Sequence, residues 1–284
     1  MFRLEPRAQT SRFWSQASPV LALLITVAIG ILLFILLGKD PIKGLQVFFW
    51  EPIKNAYGWS ELLVKATPLL LIALGLSVCF RANVWNIGAE GQFVMGAVFT
   101  SGVALMASPD TAPGFWMLCV GAGVVGGMCW GALTAWLRDR FNANEILVSL
   151  MLTYVANLIV KYLVYGPWRD PMANNFPITI SFADSALFST LGELGWTYWE
   201  GTRLNTSIFI TLIVIPLIWL YLQRSFSGFQ HAVLGEAPMA ARYAGFGQRR
   251  IIWTSLVLCG ALAGLAGASL SLIHISEPTR PERI

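Results

Sequence analysis

Along this chain, long apolar runs alternate with short polar breaks, and many of the runs have the length a bilayer demands. Crossing the hydrocarbon takes roughly 20 predominantly apolar residues in a helix. The pattern predicts seven such helices, at about 19–38, 62–80, 92–106, 115–137, 145–165, 206–222 and from 251 onward. The expected fold class is all-α, a polytopic helical membrane protein. After the first run comes Lys39-Asp40-Pro41 and no small-residue cleavage site, so it reads as an uncleaved span. The aromatic stretch 45–50 reads as an amphipathic piece lying at the interface.

The polar breaks carry the candidate chemistry. The sharpest is 80–92, which sets Arg81, Asn83, Asn86, Glu90 and Gln92 between two apolar runs, with Gly88 and Gly91 free to take tight backbone conformations. A charge at the bilayer centre costs about 2.5–3.5 kcal/mol on insertion scales. Arg81 and Glu90 therefore pair, face a wet cavity, or sit at the inner interface. Asn86, Glu90 and Gln92 are the candidate functional polar residues of this break; the alternative is a plain cytoplasmic turn. On 145–165, Ser149, Thr153 and Asn157 recur every four residues and share one face, with Lys161 at the outer end. That stripe lines a hydrophilic path or bonds neighbouring helices. Asn144 is placed to cap the same helix.

Two further patterns concern packing and docking. Gly123, Gly127 and Gly131 leave one helix face without side chains, so another backbone can approach closely. In the break 224–250, Pro238 suits a first helical turn and Gly245 a C-terminal cap. The short helix between them carries Ala240, Ala241, Tyr243 and Ala244, which ask for a protein groove or, alternatively, a lipid surface. The longest break, 166–205, holds Trp168, Trp196, Tyr198 and Trp199, suited to an interfacial aromatic belt.

Composition agrees with the pattern. The chain is 56% hydrophobic and 12% charged, against roughly 25% charged in soluble domains; its mean hydropathy is +0.64. With the N-terminus inside, the inner segments carry ten arginines against five acids, and the outer segments net one negative charge. That asymmetry satisfies the positive-inside rule and puts the N-terminus and 223–250 in the cytoplasm. The net charge of +4 thus reflects Arg-rich inner ends and does not point to nucleic acid. Cys79, Cys119, Cys129 and Cys259 form no C-x-x-C pair and read as small buried residues, and His231 and His274 are too far apart to suggest a site. No metal-ligand spacing, nucleophile arrangement or phosphate loop is present, so any ATP that drives this chain binds a partner and no cofactor is expected here. The domain reading is a cytoplasmic segment 1–18, a transmembrane domain 19–269, and a tail 270–284. The string Leu270-Ser271-Leu272-Ile273-His274-Ile275-Ser276-Glu277-Pro278-Thr279-Arg280 resembles a translated sequencing adapter. The tail is therefore expected to be foreign to the fold, with the natural chain continuing past 269.

Three segments carry a family resemblance: 83–92 (Asn-Val-Trp-Asn-Ile-Gly-Ala-Glu-Gly-Gln), 144–152 (Asn-Glu-Ile-Leu-Val-Ser-Leu-Met-Leu), and Gly235-Glu236 through Gly245 leading into 260–268. They resemble permease subunits of bacterial ABC importers in the simple-sugar and nucleoside group, which includes ribose-type and branched-chain amino acid permeases. The chain departs in carrying His231 where such permeases usually have Arg. The resemblance implies a bacterial cytoplasmic-membrane permease, most like nucleoside importers, with sugar or branched-chain amino acid transport as the alternative. It also implies a second permease, two cytoplasmic ATPase subunits and an extracytoplasmic substrate-binding protein that docks on 166–205. By the same likeness, Gly235, Glu236, Pro238, Ala240, Ala241 and Gly245 form the segment that couples to the ATPase. A membrane-embedded enzyme or a passive channel is the competing reading.

Overall fold

The computed structural model describes residues 11–108, 111–112, 114–172 and 179–273. The rest of the expected tail, 274–284, and residues 1–10 of the N-terminal segment lie outside the described residues. Two compact units divide the chain, Met1–Trp59 and Ser60–Ile284.

In the first unit, α1 (Arg12–Leu36) starts seven residues before the expected span. Nothing between Arg12 and Pro19 breaks a helix, and Pro19 is accommodated within it; a proline there removes one backbone bond and bends the axis without ending it. After Gly38, Asp40 caps α2 (Pro41–Leu45) by accepting from the backbone of Ile42 at 2.9 Å. The aromatic stretch then forms a π-helical turn, Gln46–Trp50, followed by α3 (Glu51–Lys54). Phe48, Phe49 and Trp50 are exposed, in keeping with an interfacial piece.

The second unit holds the bundle. α4 (Ala56–Arg81), whose first turn belongs to the preceding unit, is followed by α5 (Ala89–Ala104), α6 (Trp116–Phe141) and α7 (Glu145–Tyr165). After the loop 166–206 come α8 (Ser207–Arg224), α9 (Phe226–Glu236), α10 (Pro238–Tyr243) and α11 (Gln248–Ser271). Asn144 caps α7, its Oδ1 accepting from Ile146 at 2.9 Å. Among the described residues, six helices are long and apolar enough to span a membrane: α1, α4, α6, α7, α8 and α11. α5 occupies the third expected span, 92–106, with 16 residues, about 24 Å at 1.5 Å per residue, and is the shortest of the expected spans. Among the described residues there are no strands, only isolated bridges between Arg169 and Thr179 and between Thr190 and Asn205.

α9 was not foreseen; the whole of 224–250 outside the short helix reads as loop in sequence. Ser225 starts it by accepting from Gly228 at 2.9 Å, and Gly228 and Gly235, poor helix formers in isolation, are needed because backbone lies against both. A Cβ at Gly228 would meet the Tyr221 and Leu222 carbonyls.

The core is a seam of glycines around α11, the most buried of the spanning helices. A Cβ at Gly127 would overlap the Gly260 carbonyl and lie 2.7 Å from the backbone of Gly264; one at Gly131 would overlap the Leu256 carbonyl. Gly123 faces Thr100 and Gly96 on α5, while Gly96 and Gly267 close the α5–α11 side. Three helices thus approach at backbone distance, which in lipid is favoured by close packing rather than by hydrophobic burial. α11 continues two residues past 269, and Leu272 is fully buried, its carbonyl accepting from Phe188 at 3.1 Å.

The described C-terminal part of the loop 166–206, residues 179–206, is tied down rather than loose. Phe188 is buried against the Trp116 ring at 5.3 Å, and Leu191 donates to Leu204 at 2.8 Å. Arg203 grips Glu61 of α4 in a bidentate pair, Nε to Oε1 at 2.9 Å and Nη2 to Oε2 at 2.6 Å.

Candidate functional site

The polar break between α4 and α5 is folded into the protein. α4 ends when the Ala82 and Val84 amides both bond the Cys79 carbonyl at 3.0 Å, which reverses the chain. Asn83 takes a left-handed conformation (φ 53°), tolerated by Asn better than by most side chains, and its Oδ1 accepts from Trp85 Nε1 at 3.0 Å. Val84, Asn86 and Gln92 are buried, while Trp85 stands half-exposed against Phe80.

Asn86 holds the turn together. Its Nδ2 donates to Gln92 Oε1 at 3.0 Å and to Cys259 Sγ of α11 at 3.1 Å, and its Oδ1 accepts from the Gly88 amide at 3.2 Å. Gln92 Nε2 is buried with no partner, and a Cβ on Gly131 would lie 3.3 Å from it. Buried donors are normally paired, so the meeting point of α5, α6 and α11 contains an orphan donor. Glu90 is separate: it is exposed in the first turn of α5, where a negative charge complements the helix dipole. Arg81 and Glu90 form no ion pair.

The α7 stripe packs against this turn. A Cβ on Gly88 would lie 2.6 Å from Ser149, and one on Gly91 would lie 2.8 Å from Thr153. Ser149 and Thr153 are buried, and Asn157 is half-buried. All three side chains bond carbonyls of their own helix: Ser149 to Ile146 at 3.2 Å, Thr153 to Ser149 at 3.1 Å, and Asn157 to Thr153 at 3.2 Å. In this conformation Ser149 and Thr153 pack against α5, on glycines that the polar break supplies.

The segment 235–246 is a compact device. α10 begins with Pro238 in its first turn and ends in a Schellman arrangement: Gly245 (φ 73°) donates to Arg242 at 3.1 Å, and Phe246 donates to Ala241 at 2.9 Å. Ala241 is buried, whereas Glu236, Met239, Ala240 and Tyr243 are exposed, Tyr243 at 98%. Ala241 lies in the same apolar cluster as Cys79, Ala82, Val84 and Ala89 of the α4–α5 turn and Ile252, Leu256 and Cys259 of α11. A Cβ at Gly235 would overlap the Arg81 carbonyl and lie 3.3 Å from the Asn83 amide. The last turn of α9, which leads directly into α10, is therefore in backbone contact with the buried turn through Gly235. Sequence separates these segments by about 150 residues, so no local signal joins them.

His231, on α9, completes this contact. Its Nδ1 is 2.7 Å from the Ser227 carbonyl, which only accepts, so Nδ1 carries the proton and Nε2 is a bare acceptor without a partner. Arg81 Nε is likewise buried and unpaired. Burial pushes the His231 pKa below its usual value; the Ser227 bond opposes this and the Arg81 charge adds to it. Histidine is neutral here and meets Tyr221 edge-on at 5.9 Å. Cys79, Cys119 and Cys259 are buried free thiols; Cys129 is exposed, because it faces out of the bundle from α6. No group of His, Cys, Asp and Glu that could hold a metal occurs among the described residues.

The chain belongs to the family of branched-chain amino acid transport system / permease components, whose pattern matches residues 58–280. Among curated relatives, it is 31% identical over 268 residues to a glucose ABC transporter permease protein of Haloferax volcanii, covering 93% of this chain and 70% of that protein. It is 29% identical over 253 residues to a guanosine ABC transporter permease protein of Bacillus subtilis, covering 88% and 70%. A nucleoside ABC transporter permease protein of Lactococcus lactis is 28% identical over 253 residues, covering 88% and 68%. No solved structure matches the chain.

Proposed function

We propose that this chain is the membrane-spanning subunit of an ATP-driven importer for nucleosides, in a bacterial cytoplasmic membrane. The observation that carries the proposal is α10, an exposed, capped helix whose one buried residue, Ala241, shares a cluster with the α4–α5 turn. Such a helix offers a docking face to a cytoplasmic ATPase and a stiff connection to the bundle. ATP is bound and hydrolysed by two ATPase subunits, a second permease completes the path, and an extracytoplasmic binding protein delivers substrate onto the tethered loop 166–206. The turn containing Asn86 and Gln92, with Glu90 at its mouth, is the gate. The stripe Ser149, Thr153 and Asn157 flanks the path and is uncovered when α5 and α7 separate at Gly88 and Gly91.

The nucleoside reading draws on the guanosine and nucleoside permease relatives and on the exposed aromatic faces of Trp85 and Tyr154, suited to base stacking. The glucose permease relative favours a second reading, a simple-sugar importer. Uptake of labelled guanosine, uridine, ribose, glucose and leucine by a deletion strain carrying the complemented transporter separates them. ATP-dependent guanosine and uridine uptake is expected; uptake of ribose or glucose alone would overturn the nucleoside reading.

A further inference from the structure

The geometry points to a binding site for the phosphate of an anionic phospholipid of the cytoplasmic leaflet, in the cavity between the end of α6, α10 and the start of α11. The cavity measures about 390 Å³ and is lined by Arg138, Asp139, Asn142, Arg242, Gln248, Arg249, Ile252 and Trp253. This inference requires the membrane topology but is independent of which substrate is carried.

Charge in the cavity favours an anion. Arg138 is held by Glu145 at 2.7 Å, and Arg249 by Asp139 at 3.0 Å. Trp253 Nε1 also donates to Asp139, at 3.4 Å, so the single acid of the lining is engaged twice. Arg242 has no ion-pair partner among the described residues, which leaves the cavity with an uncompensated guanidinium. α11 adds to this: Gly247 occupies its N-cap and no side chain caps it, so its first amides and the positive end of a 24-residue helix face outward. The carboxyl end of α6, which would repel an anion, carries Arg138 and Arg140 in its last turn.

Depth decides between a lipid and a protein occupant. α6 has 26 residues and α11 has 24, about 39 and 36 Å at 1.5 Å per residue, against a hydrocarbon core of about 30 Å. The excess places the last turn of α6 and the first turn of α11 at the headgroup layer, where phosphates reside. Trp136 and Phe141, exposed and in edge contact at 5.4 Å on the same end of α6, belong to that level too. Basic cavities between helices on the cytoplasmic side are the kind of site that holds anionic headgroups. A docked ATPase would meet α10 farther out, through Met239 and Tyr243.

The test is native mass spectrometry of the full chain, titrated with phosphatidylglycerol, phosphatidylcholine or inorganic phosphate. Bound phosphatidylglycerol is expected to survive detergent exchange and to fall about fivefold in Arg242→Gln, the loss of one near-surface charge. Arg242→Lys should retain most of it, and Arg224→Gln, a cytoplasmic arginine outside the cavity, should match the parent. Equal retention of phosphatidylcholine, or no change in Arg242→Gln, would overturn the proposal. Displacement of the lipid by millimolar inorganic phosphate would replace it with a free-anion site. Unchanged lipid with loss of ATPase association in Arg242→Gln would make the cavity a protein-docking surface instead.

Discussion

Gly127→Ala is the substitution that tests the packing most sharply. The new methyl would overlap the Gly260 carbonyl and lie 2.7 Å from both N and Cα of Gly264, where carbon atoms are comfortable only at about 3.5–4.0 Å. Neither neighbour is a flexible side-chain tip; both are helix backbone, so α6 and α11 must part by about 1 Å. Overpacking of this kind costs about 1–3 kcal/mol. Against it stands the gain of replacing a helical Gly by Ala, up to about 1 kcal/mol. Gly121, on the same helix, has nothing within 4 Å of its ideal Cβ, so Gly121→Ala captures the propensity gain alone. Subtracting the two cancels propensity and leaves the steric term, a difference of about 1–3 kcal/mol. Equilibrium unfolding of both purified variants in mixed detergent–SDS micelles measures it. Equal stabilities, within about 0.3 kcal/mol, would refute the backbone-contact seam.

Three further outcomes follow from the same contacts. Asn86→Ala removes three bonds and leaves the Gly88 amide and Gln92 Oε1 buried without partners; it should cost about 1–3 kcal/mol per orphaned group, read in the same unfolding assay. His231 is held neutral in the fold, so the unfolded chain binds its proton first as pH falls. Stability is complete above about pH 6.5 and declines below it, by at most about 1.4 kcal/mol per pH unit; thermal unfolding of His231→Gln should show a flatter profile between about pH 6.5 and 5. Gly245→Val forces a β-branched residue into a left-handed conformation (φ 73°), at a cost of about 1–2 kcal/mol. Hydrogen exchange should then quicken in α10 while α6 and α11 stay protected.

Much of this fold is legible in the sequence, because lipid imposes length and apolarity on every span. α7 occupies the expected 145–165, and the capped helix between Pro238 and Gly245 is α10, since proline and glycine act locally. The errors arise where tertiary contact overrides local pattern. α5 begins three residues earlier than expected, because the polar residues around its start find partners inside the bundle, Asn86 with Gln92 and Cys259, and hydropathy cannot tell a satisfied buried amide from an exposed one. By the same limit, the sequence does not separate Glu90, which is exposed, from Asn86 and Gln92, which are buried. α9 reads as loop because its glycines are placed for contact with Arg81 and the end of α8, residues distant in the chain or in the neighbouring turn. Spacing identifies the glycine face of α6, but its partners on α5 and α11 emerge only in three dimensions.

The most direct test of the proposed role is ATP-driven guanosine uptake into proteoliposomes holding the full permease with its ATPase subunits, with and without Tyr243→Asp. Tyr243 is 98% exposed on α10, so the change leaves the fold intact and alters only the surface offered to the ATPase. Uptake should fall by at least about tenfold, together with ATPase association, while thermal stability matches the parent. Undiminished ATP-driven uptake by a stably folded Tyr243→Asp transporter would contradict the assignment of α10 as the coupling element.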